Sequence, residues 1–190
     1  LAAKDAWGAA FCCGTSSVIR FAPLMAIGGF PTDTVTEDYL LTLRLKETGF
    51  TTAYLNEPLT LGLAPAGLKE YITQRGRWCL GFMQITRGRS GPFSRRSSLS
   101  FIDRLSLVDT FLNWTAVYIA KLLGLLVPVG YLLFGIHTVD ADLYDLLGYF
   151  LPFFLWHSVT MSWISRGRSL VFMTDVSQFI AAPAILKAVF

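Results

Sequence analysis

Three short groups of residues in the first half of the chain have types and spacing that suit a group-transfer reaction. They are FCCGT at residues 11–15, TED at residues 36–38 and QRGRW at residues 74–78. Thr36 is a good N-cap, so Glu37 and Asp38 lie in the first turn of a predicted helix, where free backbone amides stabilise carboxylates. A carboxylate held in this way can act as a general base. Acids in a first helical turn are also commonplace, and TED alone is a weak signal.

The QRGRW group adds residues that can bind a nucleotide and a sugar. Gln74 and Trp78 are four residues apart, so they lie on one face of a helix. The guanidinium of Arg77 can hold a diphosphate through paired hydrogen bonds, and the indole of Trp78 offers a flat surface to a sugar ring. The alternative for Trp78 is an ordinary core or interfacial aromatic residue.

Hydrophobic spacing and turn residues predict the elements that carry these groups. Helices are predicted before Gly28 and Gly29, from the cap at Thr36 to Gly49, and from about Leu68 to Ile85. Residues 11–20 are predicted to be extended, and residues 51–58 form a strand that ends at a proline. Strands that alternate with helices predict part of an α/β domain.

The second half of the chain has the composition of membrane helices. The 190 residues are 53% hydrophobic and 15% charged, with a mean hydropathy of +0.51, and residues 105–190 carry only nine charges. This composition excludes a disordered or collagen-like chain. Residues 110–136 and 146–164 each approach or exceed the roughly 20 residues that cross a bilayer, so two transmembrane helices are predicted. A buried helical hairpin of a soluble protein is the alternative.

The predicted domain boundaries follow from this division. Residues 1–86 form the cytoplasmic α/β part, 87–109 a basic linker with an interfacial helix, 110–165 the two transmembrane helices and 166–190 a cytoplasmic interfacial segment. Lys121 is costly in lipid, so we expect it to face protein, headgroups or a channel.

The distribution of Lys and Arg predicts the orientation and the lipid partner. Five arginines precede the first span, the loop at 137–145 has three aspartates and no Lys or Arg, and Arg166 and Arg168 follow the second span. Positive charge stays inside, so the α/β part is cytoplasmic. The five arginines favour acidic lipid over nucleic acid as a partner, and no nucleic-acid motif is present. They are Arg87, Arg89, Arg95, Arg96 and Arg104.

Cysteine and histidine positions favour neither disulfides nor zinc. Cys12 and Cys13 are adjacent and Cys79 is distant, which is no disulfide framework and fits a reducing compartment. His137 and His157 are far from the cysteines and from each other, so no zinc-binding spacing exists.

FxCGT, TED and QxxRW in this order and spacing together resemble the processive family 2 glycosyltransferases, and among them the bacterial enzymes that make cellulose. The resemblance covers almost the whole chain, which is then an internal fragment. It implies the C-terminal part of a GT-A type glycosyltransferase domain followed by membrane helices. It also implies transfer of glucose from UDP-glucose, with inversion, to a growing β-1,4-glucan that is exported across the bacterial inner membrane.

The resemblance also implies roles for individual residues. Asp38 is the general base, and Thr36 and Glu37 bind substrate beside it. The remaining residues bind substrate in two groups. Gln74, Arg77 and Trp78 bind the nucleotide diphosphate and the acceptor end of the glucan, and Phe11, Cys13 and Gly14 line the entrance of the polymer channel.

The family's aspartates that bind uridine and a divalent metal have no counterpart in this sequence. Mg²⁺ or Mn²⁺ is therefore expected for the complete enzyme, with ligands outside this chain, and the fragment alone should be inactive. Accessory subunits of a synthase complex are expected partners. The enzyme alternative is another processive family 2 synthase, making a 1,3- or mixed-linkage glucan, chitin or hyaluronan. The alternative from another class is a non-catalytic membrane subunit, in which TED is a helix cap and QRGRW a juxtamembrane anchor.

Overall fold

The computed structural model describes residues 2–14, 16–57, 59–136, 142–167 and 170–190. These residues divide into two compact units, one formed by residues 1–117 with 183–190 and the other by residues 118–182. The α-helices within the described ranges are α1 (Ala2–Asp5), α2 (Phe21–Ala26), α3 (Glu37–Glu47), α4 (Leu68–Arg87), α5 (Phe101–Phe134), α6 (Leu143–Asp145), α7 (Leu151–Ile164) and α8 (Val171–Val189).

Helix α3 confirms the helix predicted from Thr36 to Gly49. Thr36 is its N-cap residue, although the side chain makes no capping hydrogen bond. Leu41 and Leu43 point into the core of the first unit and are almost fully buried. Gly49, with φ +86°, ends the helix in a left-handed conformation that other residues rarely adopt.

Helix α4 agrees with the prediction and extends two residues further, to Arg87. Its buried face includes Cys79, Phe82 and Ile85. The last residues of α8 belong to the same unit and lie along this helix. The Cys79 thiol is 3.7 Å from the carbonyl oxygen of Ile185, and the Arg87 guanidinium donates to the carbonyl oxygen of Val189 at 2.5 Å.

The predicted strand at 51–58 is wrong for the described residues, which contain no β-strand; residues 11–20, predicted to be extended, are neither helix nor strand where they are described, and Thr15 and Pro58 lie outside the description. Side chains bind backbone groups of these segments instead. The Thr42 hydroxyl accepts from the Cys12 amide at 2.9 Å, and the Asp5 carboxylate accepts from the Tyr54 amide at 2.8 Å. A strand forms only where a neighbour completes its ladder. What is described of the chain is helical, and the α/β class remains a prediction.

Helix α5 begins nine residues before the predicted first span. Ser100 starts it, because its hydroxyl accepts from the Asp103 amide at 3.2 Å. Asp103 also forms an ion pair of 2.5 Å with Lys46 of α3, and both side chains are largely buried. The apolar continuation of α5 has a mean hydropathy of 2.0, and the helix is long and apolar enough to cross a membrane.

The second predicted span, residues 146–164, is helical but interrupted. A π-helical turn covers Leu146–Phe150, and α7 follows it directly. By length and composition, the other described helix that could cross a membrane is α8, with a mean hydropathy of 1.2. The sequence assigned α8 to an interfacial segment because of its lysine and proline. Its length and composition satisfy the criteria for a span as well.

Lys121 of α5 faces protein, as the sequence predicted. Its ammonium lies 2.5 Å from the Asp175 carboxylate of α8 and 5.4 Å from the centre of the Phe179 ring. All three residues belong to the second unit. An opposite charge and an aromatic face thus accompany the only lysine of α5, which reduces the cost of a cation in apolar surroundings.

Arg104 binds the backbone of the basic linker. Its guanidinium donates to the carbonyl oxygens of four linker residues, at 3.3, 2.9, 3.2 and 2.6 Å. These residues are Leu99, Pro92, Ser94 and Ser97. Arg87 donates to a carbonyl oxygen of α8, and the prediction that the five arginines favour acidic lipid stays a prediction. Arg89, Arg95 and Arg96 are exposed. The predicted roles of His137, Asp140 and Arg168 fall outside the described residues.

Candidate active site

The TED carboxylate lies against the FCCGT loop. A Cβ atom built on Gly14 would stand 3.1 Å from Oδ2 of Asp38, and Gly14 has φ +80°. Both the tight approach and the left-handed backbone require glycine at this position. Two motifs that are separated by more than 20 residues of sequence are therefore in contact, as shared function of Gly14 and Asp38 requires.

Partial burial sets the acidity of Asp38. Desolvation raises the pKa of this carboxyl above its ordinary value, the nearby charge of Glu37 acts in the same direction, and the backbone amide of Tyr39 opposes both. That amide donates to Oδ1 at 2.8 Å. The helix N-terminus favours the carboxylate, but the sequence leaves the net shift of the Asp38 pKa open; in the structure desolvation is the larger effect. A carboxylate with a raised pKa is a stronger proton acceptor.

Tyr39 joins the motifs through its aromatic ring. The ring centroid lies 4.2 Å from that of Phe11 in the FCCGT loop and 5.6 Å from that of Phe82 on α4, edge-on. Such tilted and edge-to-face pairs are favourable beyond the burial of their surface. No motif of the sequence singles out Tyr39.

Gly81 allows the TED segment to approach α4. A Cβ atom on Gly81 would clash with the side chain of Thr36, and one turn further on the Gln84 side chain accepts from the Val35 amide at 3.0 Å. Glycine inside a helix costs about 1 kcal/mol relative to alanine. No motif predicts this contact, although an isolated glycine in a helical pattern indicates a close approach.

The QRGRW residues lie along α4 before that contact. Arg77 and Trp78 are one turn before Gly81, and Gln74 is two turns before it. Trp78 is 45% exposed, Arg77 is exposed and Gln74 is partly buried. The Arg75 guanidinium lies 5.8 Å from the centre of the Trp78 ring, which leaves indole surface open to solvent.

The predicted site residues thus fall into two groups. Phe11, Gly14, Thr36 and Asp38 lie at the meeting of the FCCGT loop, the start of α3 and α4. Gln74, Arg77 and Trp78 extend from that meeting towards the start of α4. Glu37 is exposed beside Asp38.

The charge of the Asp38 carboxylate affects the thiol of Cys13. Partial burial of its thiol raises the pKa of Cys13, and the charge of Asp38 is the next cause. Cys79 is fully buried on α4, and desolvation raises its pKa to about 11. Cys12, Cys13 and Cys79 are all free thiols.

The described residues contain no cluster of side chains typical of a metal-binding site. No group of three or more His, Cys, Asp or Glu side chains among the described residues could hold a metal ion.

Comparison with known proteins shows the family to which this chain belongs. Residues 4–182 match the model of the glycosyl transferase family group 2. The chain belongs to this family.

The similar proteins with curated descriptions are bacterial cellulose synthases. The chain is 35% identical, over 98% of its length, to the cellulose synthase catalytic subunit [UDP-forming] of Pseudomonas fluorescens (strain SBW25). It is 36% identical, over 97% of its length, to cellulose synthase 1 of Komagataeibacter xylinus and to cellulose synthase 1 of Novacetimonas hansenii. The chain spans 25% of the Pseudomonas protein and 12% of each of the other two.

Proposed function

We propose that the chain is part of a membrane-embedded processive glycosyltransferase that transfers glucose from UDP-glucose, with inversion, to a growing β-1,4-glucan and exports the polymer. The observation that carries this proposal is the partly buried Asp38 carboxylate against Gly14. Membership of the glycosyltransferase family and similarity to cellulose synthases support UDP-glucose as the donor and a β-1,4-glucan as the product.

Asp38 is the proposed general base. Its carboxylate accepts the proton of the acceptor hydroxyl while that oxygen forms a bond to the anomeric carbon of glucose. The bond from that carbon to the diphosphate breaks on the opposite face, which inverts the configuration and releases UDP. The raised pKa of Asp38 strengthens it as a base, provided that it is ionised when the acceptor arrives.

The other site residues position the two substrates in this proposal. Arg77 and Gln74 bind the diphosphate, where a guanidinium forms strong, charge-assisted hydrogen bonds. Trp78 supports the terminal sugar of the acceptor, because its indole is open to solvent and backed by Arg75. Phe11, Cys13 and Gly14, with Thr36 and Glu37, form the wall past which the acceptor chain leaves.

In this proposal, other parts of the enzyme provide the remaining groups of the active site. Mg²⁺ or Mn²⁺ would neutralise the charge of the diphosphate, and this chain supplies none of its proposed ligands. Accessory subunits and the lipid of the bacterial inner membrane are the proposed partners.

Substitutions at Arg77 and Trp78 in the complete enzyme test the division of roles. Arg77→Ala should weaken UDP binding by about 2 to 5 kcal/mol if the bound diphosphate is desolvated. Trp78→Ala should leave UDP binding close to wild type and slow elongation. Arg89→Ala is the control, since Arg89 is an exposed arginine outside the site. UDP affinity unchanged in Arg77→Ala would refute its role.

The product and the orientation need separate measurements. Digestion of the polymer by a β-1,4-glucanase, and resistance to β-1,3-glucanase, chitinase and hyaluronidase, is the expected result. A single cysteine at Tyr144, which is 84% exposed, should react with an impermeant thiol reagent in intact spheroplasts, while one at the exposed Ser98 should not. The reverse labelling would place the site on the side away from cytosolic UDP-glucose.

A further inference from the structure

Three consecutive turns form the link between α4 and α5. The Gly91 amide donates to the carbonyl oxygen of Gly88 at 3.2 Å. The amides of Ser94 and Ser97 repeat this pattern with the carbonyl oxygens three residues earlier, at 3.2 and 3.4 Å. Each of these hydrogen bonds closes a β-turn. We call residues 88–97 the basic turns.

The inner side of the basic turns is bonded to neighbouring helices. Four carbonyl oxygens in and next to the turns converge on the guanidinium of Arg104 in α5, as described above. The Ser90 hydroxyl donates to a carboxylate oxygen of Glu47 on α3 at 3.1 Å. A Cβ atom on Gly91 would clash with the carbonyl oxygen of Thr86, so the turns lie directly against the end of α4. The backbone of the turns is therefore held from within.

The outer side of the basic turns carries positive charge around an aromatic ring. Side chains at the centres of the three turns are exposed, and they are Arg89 in the first, Phe93 in the second, and Arg95 and Arg96 in the third. None of the three guanidinium groups forms an ion pair with a described acidic side chain. Residues 71–102 contain six arginines and no Asp or Glu. The outer side is thus suited to an anionic partner.

Exposed apolar side chains adjoin this positive surface. Phe93 is 76% exposed between the arginines, and Phe101 and Leu105 at the start of α5 are 78% and 56% exposed. Helix α5 is long and apolar enough to cross a membrane. Arginines next to exposed aromatic and aliphatic side chains, at the start of such a helix, are typical of a bilayer surface. There the charges meet anionic headgroups and the apolar groups enter below them.

We propose that the basic turns are a docking surface for anionic lipid headgroups, in which Arg89, Arg95 and Arg96 bind headgroup phosphates and Phe93 enters the bilayer between them. Arginine suits this ligand because its planar guanidinium binds a phosphate through two hydrogen bonds. The surface selects a headgroup charge, whereas the helices proposed to span the membrane contact acyl chains. This inference rests on the proposed membrane location of the enzyme.

The structure thereby divides the five arginines of the linker into two groups. The guanidinium groups of Arg87 and Arg104 donate to backbone carbonyl oxygens at distances down to 2.5 and 2.6 Å. These two arginines stabilise the fold around the turns. The three at the centres of the turns bind lipid in this proposal.

A fluorophore at the centre of the second turn measures contact with each kind of headgroup. The complete enzyme carries Phe93→Cys labelled with an NBD fluorophore, in a background without other cysteines. It is reconstituted into phosphatidylcholine bilayers with a rising fraction of lipid that has a nitroxide quencher near its headgroup. Labelled phosphatidylglycerol should quench the fluorophore at a lower fraction than labelled phosphatidylcholine does, because the arginines concentrate anionic lipid around residue 93.

Removal of charge from the third turn should abolish this preference. An arginine near an acidic bilayer surface contributes about fivefold to the affinity. The Arg95→Gln/Arg96→Gln variant should therefore raise the half-quenching fraction of phosphatidylglycerol by up to about 25-fold, and leave that of phosphatidylcholine unchanged. Salt of about 1 M should act in the same direction, since it shortens the Debye length to about 3 Å.

Matched controls use exposed residues outside the basic turns. The Arg20→Gln/Lys69→Gln variant removes two exposed cations elsewhere and should leave both half-quenching fractions unchanged. The same fluorophore on Phe21→Cys, a position 75% exposed on α2, should not be quenched by either lipid.

Three results would overturn the lipid-docking surface. They are an unquenched fluorophore at residue 93, equal quenching by the two lipids, and an unchanged preference in Arg95→Gln/Arg96→Gln. Loss of the preference on addition of inorganic phosphate at constant ionic strength would assign the arginines to a small anion and overturn it as well. Glucan synthesis by the wild-type enzyme is measured separately, and its absence would refute the proposed function without altering the quenching result.

Discussion

Gly14 and Asp38 lie so close together that a Cβ atom on the glycine would stand 3.1 Å from the carboxylate oxygen. The left-handed backbone of Gly14, with φ +80°, makes this approach possible. The contact places the FCCGT loop beside the proposed base.

Gly14→Ala should therefore impair both stability and synthesis. The left-handed conformation costs a non-glycine residue about 1 to 2 kcal/mol, and the methyl group would press on Asp38. Thermal unfolding and polymer synthesis of the complete enzyme are the measurements. Gly8→Ala is a matched control for the backbone cost, because Gly8 has φ +66° and open space around it. Synthesis by Gly14→Ala equal to that by Gly8→Ala would contradict the contact.

Two glycines of α4 should respond to alanine in opposite directions. Gly81→Ala forces a methyl group into the Thr36 side chain, and such overpacking costs about 1 to 3 kcal/mol. At Gly76 the nearest atom would lie 3.9 Å away, an ordinary contact, so Gly76→Ala should gain up to about 1 kcal/mol of helix propensity. Thermal unfolding midpoints measure both. A stabilising Gly81→Ala would show that TED does not pack on α4 in this way.

The sequence predicts the parts of the fold that depend on local interactions and misses those that depend on tertiary contacts. Helices α3 and α4 follow from local signals, the cap at Thr36, the terminator at Gly49 and the spacing of apolar residues. The contact of Gly81 with Thr36 depends on tertiary packing, so only the cost of a helical glycine points to it. The predicted strand at 51–58 failed because β-propensity cannot say whether a neighbour will complete the ladder.

The candidate site likewise combines features that motifs predict with features that depend on tertiary structure. The residue types of TED and QRGRW indicate a base and a diphosphate clamp. The raised pKa of Asp38 is a property of its burial, which no motif encodes. Tyr39 packs against Phe11 and Phe82, which come from distant parts of the chain, and no motif singles Tyr39 out.

Cys13 should serve as a probe of the Asp38 charge. That charge helps to raise the pKa of the Cys13 thiol, so Asp38→Asn should lower it and speed alkylation at a fixed, mildly alkaline pH. The pH dependence of iodoacetamide labelling measures this in a background with Cys12→Ser and Cys79→Ser. Glu37→Gln is the control and should leave the profile in place. An identical profile after Asp38→Asn would mean that the two groups are not neighbours.

Asp38 should reduce the stability of the fold at neutral pH. A raised pKa means that the folded state disfavours the carboxylate, so the cost is present above the folded pKa and disappears as the pH falls below the unfolded value. Asp38→Asn should therefore unfold at a higher temperature than wild type near pH 7, and the difference should shrink towards pH 3.5. A stability difference that grows on acidification would reverse the direction of the pKa shift.

Polymer synthesis by Asp38→Asn in the complete enzyme tests the proposed base most directly. The amide preserves the shape of the side chain but cannot accept the acceptor's proton. We predict that incorporation of glucose from UDP-glucose into insoluble glucan is abolished while UDP still binds with wild-type affinity. Glucan synthesis at a rate close to wild type would contradict the assignment of Asp38 as the base and, with it, the mechanism proposed for this chain.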